Sequence, residues 1–381
     1  MAYGTTLRHV PGPWYTKYTR RVLEGHDVFG NRWYYIQALH KKYGPVVRIA
    51  PDEVAICDPK HVTQVLGLGS KFRKRQQPGT AFNIFSLSDP KLHRPRQRFY
   101  NKAFSDENIK ANTEPAIRKL AHMAVERIKT GSMENRHRTV DVVKWCMLYG
   151  YDCVFDVVFG TSTTEGLMAT NGSTDTMIIG LYLQRSIAWM LFCYPLWALG
   201  RWLSPLSKTL ADVFCIENKY VDLFQEGPRQ KAIAAKTVFF KNAVLPQEGD
   251  AFATSDGTQL RDMDITHDIT TFLGAGGEAV AVTLIFLIWQ VLKIPTLQRE
   301  LEAEVASLPE PPTDVNTAPL PILNAVILET LRVWGGGATH LPRYSPVVTD
   351  FGGYIIPPGT AVTPHIGALH RNPEAWDNPE M

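Results

Sequence analysis

Leu320-Pro-Ile-Leu-Asn-Ala-Val-Ile-Leu-Glu329-Thr-Leu-Arg332 carries two apolar turns into a carboxylate and a guanidinium three residues apart. That i, i+3 spacing puts Glu329 and Arg332 on one helical face. On a surface such a pair is worth under ~1 kcal/mol. The apolar approach predicts burial instead, and breaking a buried pair typically costs about 3–5 kcal/mol. The motif therefore reads as structural and implies no catalysis. Upstream, Gly274-Ala-Gly-Gly-Glu-Ala279 opens into V-A-V-T-L-I-F-L-I-W-Q-V-L. Each glycine inside a helix costs about 1 kcal/mol relative to alanine. Close approach of a flat cofactor, or a phosphate at the helix start, would justify the three. The same six residues match the dinucleotide fingerprint G-x-G-x-x-A, which needs a preceding strand and an acid about 20 residues on. The flanks are too polar or too helical for that, so an NAD(P)-dependent dehydrogenase using Gly274 to Ala279 is the alternative of a different class. Glu278 is an acid in an apolar helix, which suits either proton delivery or a solvated helix end.

Working outward, apolar periodicity predicts helices near 31–43, 91–104, 107–130, 140–160, 177–200, 208–226, 264–292, 296–307 and 320–333. Val46 to Ala50 and Val54 to Cys57 read as a hairpin, and 353–362 as two strands around a Pro358-Gly359 turn. The fold class is mainly α with a small β portion drawn from both ends of the chain. The 381 residues are 45% hydrophobic and 20% charged, enough apolar content to exclude disordered or fibrous classes. A net charge of +3 gives no electrostatic footprint for nucleic acid. Five cysteines are too few and scattered for a disulfide scaffold, and none follows Cys215. No zinc-type Cys/His set and no G-x-S-x-G elbow are present. Met1 to Asp27 has no apolar run of the anchor or secretory type. Ser186 to Gly200 is strongly apolar but falls short of the ~20 residues of a span, and Pro195 interrupts it. It reads as a buried helix or, with flanking Arg201 and Trp202, as a surface at 186–202 that dips into a membrane interface.

A basic cluster, Lys91, His93, Arg94, Arg96, Arg98 and Lys102, follows Lys71-Phe-Arg-Lys-Arg75. It is either a solvated face or a site for carboxylates or an acidic partner.

These features together resemble the cytochrome P450 family, haem-thiolate monooxygenases, most closely its fungal microsomal members. K-Y-G-P-V-V-R-I-A-P-D-E-V from Lys42 is similar to the opening hairpin, and L-H-R-P-R-Q-R-F-Y-N-K-A-F-S from Leu92 to the helix that holds haem propionates. F-D-V-V-F-G from Phe155, Ala275-Gly276-Gly277-Glu278, Glu329-x-x-Arg332 and H-L-P-R-Y around Arg343 follow in the family's order. The resemblance implies haem, held by His93, Arg98, Ala275, Gly276 and Arg343, with Glu278 feeding protons toward bound oxygen. It also implies an NADPH-dependent flavoprotein reductase as electron donor and a small lipophilic substrate of the fungal secondary-metabolite kind. Its location would be the endoplasmic reticulum membrane surface, or the cytoplasm in the absence of an anchor.

Three positions depart from the pattern. Ala279 stands where the family usually has threonine, removing a hydroxyl that orders protons or water. Gln97 stands where an arginine is common. No cysteine lies beyond Cys215, so none matches the thiolate that ligates iron, and no metal ligand is assigned. The resemblance thus divides the chain into an N-terminal segment, 1–27, with a proline-rich hinge and no membrane anchor, and a cytochrome P450-like domain, 28–381, incomplete at the C-terminus. It implies a chain truncated before the cysteine loop and inactive alone, or a non-catalytic binder of lipophilic ligands.

Overall fold

The computed structural model describes residues 7–74, 83–101, 104–159, 167–168, 262–309, 312–335, 341–373 and 375–379. The predicted helices at 177–200 and 208–226, and the membrane-facing reading of 186–202, lie outside the described residues.

Near the N-terminus α1 (Arg21–Val28) and α2 (Arg32–Tyr43) lead into β1 (Val46–Ala50) and β2 (Glu53–Ile56). The two strands pair antiparallel, as the hairpin signal predicts. Asp58 caps α3 (Pro59–Leu66) by accepting from the His61 N–H at 3.1 Å, with Pro59 in the first turn. After β3 (Arg73–Lys74) comes α4 (Pro90–Asn101). The helix predicted over 107–130 is continuous but changes type: a helical turn at Asp106–Asn108 and a π segment at Ile109–Thr113 lead into α5 (Glu114–Glu134). Pro115 accounts for the change, since it has no N–H for the regular ladder and its ring crowds the preceding turn. Then follow α6 (Val142–Phe159), the 32-residue α7 (Asp262–Lys293), α8 (Pro295–Ala306) and α9 (Pro321–Trp334).

Toward the C-terminus lie β4 (Arg343–Tyr344), β5 (Thr349–Phe351), β6 (Tyr354–Ile356), β7 (Ala361–Pro364) and the single-turn α10 (Ile366–Leu369). The main sheet has the order β1-β2-β7-β4-β3, with β2 and β7 parallel. The strands flanking Pro358-Gly359 are therefore not one hairpin: β6 pairs with β5, whereas β7 joins the main sheet. Turn chemistry marks where a strand ends but not which strand it meets next.

Both faces of β1 and β2 are covered, which accounts for their fully buried sequences. Leu7, Val10, Val62, Phe351 and Ile356 pack on one side, Leu23, Ile36 and Leu39 on the other. Leu7 and Val10 thus belong to the same core as the sheet, and α1 runs across the 27/28 boundary. Glu53, wholly buried, accepts from Arg20, Arg32 and Thr363 and ties the N-terminal helices to β7.

The helical body is organised around α7, which by length and composition alone is long and apolar enough to cross a membrane. In the fold it lies along α6. A Cβ on Gly276 would meet Val154 at 2.7 Å, and one on Gly277 would meet Tyr151 at 2.6 Å. A Cβ on Gly150 of α6 would strike the Gly277 carbonyl. The two helix backbones approach so closely that glycine is required on both.

Candidate functional site

Gly274 to Ala279 sits inside α7, preceded by helix rather than by a strand. That geometry removes the dinucleotide-binding alternative, since the fingerprint works only as a strand-to-helix turn. The glycines also divide by face. Gly276 and Gly277 serve the α6 contact, which by itself accounts for the missing side chain at both. Gly274, Ala275 and Ala279 are exposed, and a Cβ on Gly274 would meet nothing within 4 Å. Glu278 is half-buried, and its charge adds to the burial that raises the Tyr151 phenol above its ordinary pKa. Thr283, one turn beyond Ala279, donates its hydroxyl to the Ala279 carbonyl at 2.8 Å.

Cations converge beside β3 and β4. Lys74 and Arg343 are direct partners across the antiparallel pair, so their side chains share one face. Lys74 Nζ donates to His93 Nε2 at 3.1 Å and to the Ile84 carbonyl at 3.2 Å. All three groups are pushed toward their uncharged forms. Burial lowers Lys74, with Arg343 adding to the effect; burial and then Lys74 lower His93; burial alone lowers Arg343. Like charges placed opposite one another and partly desolvated call for an anion. A haem carries two carboxylates on one edge, and this cradle fits them. An open pocket of about 500 Å3, lined by Arg73, Lys74 and Lys91 among others, adjoins it.

The rest of the basic cluster divides differently. Arg98, on the same helix as His93, is exposed. Arg96 is buried and tied to α7, donating to Asp268 and to the Asp264 carbonyl. Asp268, with no exposure, also accepts from Tyr100 Oη at 2.9 Å and the Ile84 N–H at 2.6 Å. Burial raises its pKa, while the bonds from Arg96, Ile84 and Tyr100 oppose the rise. This knot fixes α4 and the segment before it against α7, and so sets where His93 and Lys74 stand. Neither Lys74 as a cradle residue nor Asp268 as a positioning acid is legible in the sequence. Strand register and helix face make them matter, and no local pattern encodes either.

On α9 Arg332 is bidentate to Glu329, at 2.6 and 2.7 Å. The predicted burial holds for one partner only: the Arg332 side chain is 6% exposed, that of Glu329 54%. Arg332 also donates to the carbonyls of His370 (2.6 Å) and Pro379 (3.0 Å), and its guanidinium lies 5.0 Å from the Trp376 ring centre. The pair thereby ties α9 to the segment after α10.

The described cysteines are Cys57, Cys146 and Cys153. Burial pushes each thiol up to about 11, aided by the Asp58 charge at Cys57, so each is held as the poorly ligating thiol. Among the described residues no three or more His, Cys, Asp or Glu are grouped to hold a metal. The cradle thus fits the carboxylate edge of haem, and the described thiols do not fit its iron.

A long glycine-bearing helix, a charged pair at i, i+3 and a cationic edge beside a mixed sheet are thus combined in one mainly α fold. The chain belongs to the cytochrome P450 family: the family model for Cytochrome P450 matches residues 19–381. It is 63% identical over 380 residues to methylphloroacetophenone oxidase of Cladonia uncialis, covering 100% of this chain and 85% of that protein. It is 36% identical to cytochrome P450 monooxygenase aflV of Aspergillus parasiticus, across 99% of this chain and 75% of the relative. With cytochrome P450 monooxygenase stcB of Emericella nidulans it shares 33% identity, across 99% and 72%. These relatives are fungal, and they support a secondary-metabolite oxidase of the P450 type.

Proposed function

We propose that this protein descends from, and keeps the binding apparatus of, a haem-dependent oxidase of a small phenolic ketone. The observation that carries the reading is the cationic cradle of Lys74, His93 and Arg343. The substrate class follows from the relative at 63% identity, which is named for oxidising methylphloroacetophenone. Haem, when bound, supplies dioxygen activation with electrons from an NADPH-dependent flavoprotein reductase. The chain's own residues do the rest. Lys74, His93 and Arg343 hold the propionate edge. Ala275 and Ala279 leave the open face of α7 uncrowded. Glu278 offers a carboxyl on the same helix through which a proton could be delivered. Ala279 has no hydroxyl to pass that proton on, and the Thr283 hydroxyl is directed at the Ala279 carbonyl. The protein would work at the endoplasmic reticulum membrane surface.

The three described thiols, each held protonated by burial, favour a further reading: the protein binds lipophilic ligands without turning them over. The test combines two measurements on the chain loaded with haemin. With reductase, NADPH and methylphloroacetophenone, no oxidised product is expected. The reduced, carbon monoxide-treated spectrum should lack the red-shifted Soret band of thiolate ligation, and that band together with product would overturn the inactive reading. Failure of methylphloroacetophenone to bind would overturn the substrate class.

A further inference from the structure

At the edge of the main sheet lies an open pocket of about 500 Å3, lined by Arg73, Lys74, Ser88, Asp89, Pro90 and Lys91. One wall is β3, the last strand in the order β1-β2-β7-β4-β3, and the other is the start of α4. Successive residues of a strand point to opposite faces, so Arg73 is turned away from the side that Lys74 shares with Arg343. Arg73 and Lys91 are both exposed, and neither has an ion-pair partner among the described residues. Asp89 is the single acid of the lining, and its carboxylate accepts from the Lys91 N–H at 2.9 Å. The lining is therefore net positive even with Lys74 left out, whose ammonium is engaged by His93 and the Ile84 carbonyl. The pocket adjoins the haem-edge cradle but has cations of its own.

Its volume decides what kind of anion it suits. Sites for small organic molecules run to about 300–1,000 Å3. A lone phosphate or carboxylate would leave most of this space to water. Phe85 is 63% exposed beside the same wall, with Lys74 Nζ 5.8 Å from its ring centre. An exposed phenyl ring and the planar guanidinium of Arg73 are both surfaces on which a flat aromatic anion stacks. Phenols conjugated with a ketone supply such an anion. Their phenolate charge spreads onto the carbonyl oxygen, so they ionise below the ~10 of an ordinary phenol.

We propose that Arg73 and Lys91 make this pocket a subsite for the phenolate form of a small aromatic compound, separate from the haem-edge cradle. The choice of a phenolate rests on the phenolic-ketone reading above. Equilibrium dialysis of the full chain, with and without haemin, reads the binding of 2,4-dinitrophenolate, of methylphloroacetophenone and of its fully O-methylated ether. Arg73→Gln with Lys91→Gln should weaken dinitrophenolate binding at least tenfold. The same variant should remove the salt-sensitive share of methylphloroacetophenone binding and leave the ether unchanged. Arg8→Gln with Lys60→Gln, two exposed cations elsewhere, should change nothing. Unaltered dinitrophenolate binding in the Arg73, Lys91 variant overturns the proposal, as does a salt-sensitive share that survives it. Displacement of dinitrophenolate by haemin also overturns it, because the anion would then sit in the cradle. So does displacement by an equal concentration of inorganic phosphate, since the pocket would then read charge without shape. If dinitrophenolate depends on Arg73 and Lys91 while methylphloroacetophenone does not bind at all, the pocket stands and the phenolic-ketone reading falls.

Discussion

Lys74 and Arg343 face each other across β3 and β4, with His93 bonded to Lys74, and the cost of that arrangement is visible in all three depressed pKa values. An anion bound there would relieve the repulsion. Lys74→Gln removes one of the like charges, so the haem-free variant should be at least as heat-stable as the parent. The same change should weaken haemin binding about tenfold, the scale of one charge-assisted hydrogen bond. Tryptophan quenching by haemin reads the affinity and thermal unfolding the stability. If both fall together, Lys74 is a structural residue and no part of a cradle. Resemblance put His93 and Arg343 at this site, but Lys74 was only one of four basic residues at 71–75. Its partner 269 residues away was set by strand pairing, which local sequence does not specify.

Between elements, the α6–α7 contact turns three glycines into a packing requirement. Gly277→Ala places a methyl against the Tyr151 ring and Gly150→Ala places one against a backbone carbonyl. Overpacking of this sort costs typically 1–3 kcal/mol, more than the ~1 kcal/mol that alanine gains in a helix. Gly274→Ala meets nothing, so it should keep the full propensity gain and raise stability by up to about 1 kcal/mol. Urea midpoints of the three variants check this ordering, and equal shifts would show that the helices are not in close contact. Glycine content made α7 conspicuous in the sequence. Which glycine served a neighbour and which faced open space depended on the rotation of α7 against α6, which composition does not carry.

Across the whole molecule, the two ends of the chain are joined at His365. Its Nε2 donates to the Trp33 carbonyl at 3.2 Å, and its Nδ1 accepts from the Ala368 N–H at 2.9 Å, so both nitrogens are committed in the neutral ring. Burial, with the nearby His40 second, lowers its pKa from 6.5 to about 4. A folded value below the unfolded one means that the unfolded chain binds more protons between pH 6.5 and 4. Stability from this group is therefore complete above pH 6.5 and is lost as pH falls toward 4, by roughly 3 kcal/mol at most. His365→Gln should flatten that part of the stability curve, measured by urea unfolding at several pH values in the window. An unchanged slope would show that His365 does not carry it.

The sequence by itself determined the helical class, the limits of α6 through α9 to within a few residues, the opening hairpin and the Glu329–Arg332 pair. Each of these depends on periodicity or on spacing within one element, where neighbours in the chain are neighbours in space. Tertiary structure alone decided that β6 and β7 part company, that Glu329 stands largely in solvent while Arg332 is buried, that Arg96 answers to Asp268, and that Lys74 meets Arg343. Those outcomes depend on which surfaces meet after long stretches of chain have closed, and the energy of meeting belongs to the pair rather than to either sequence segment.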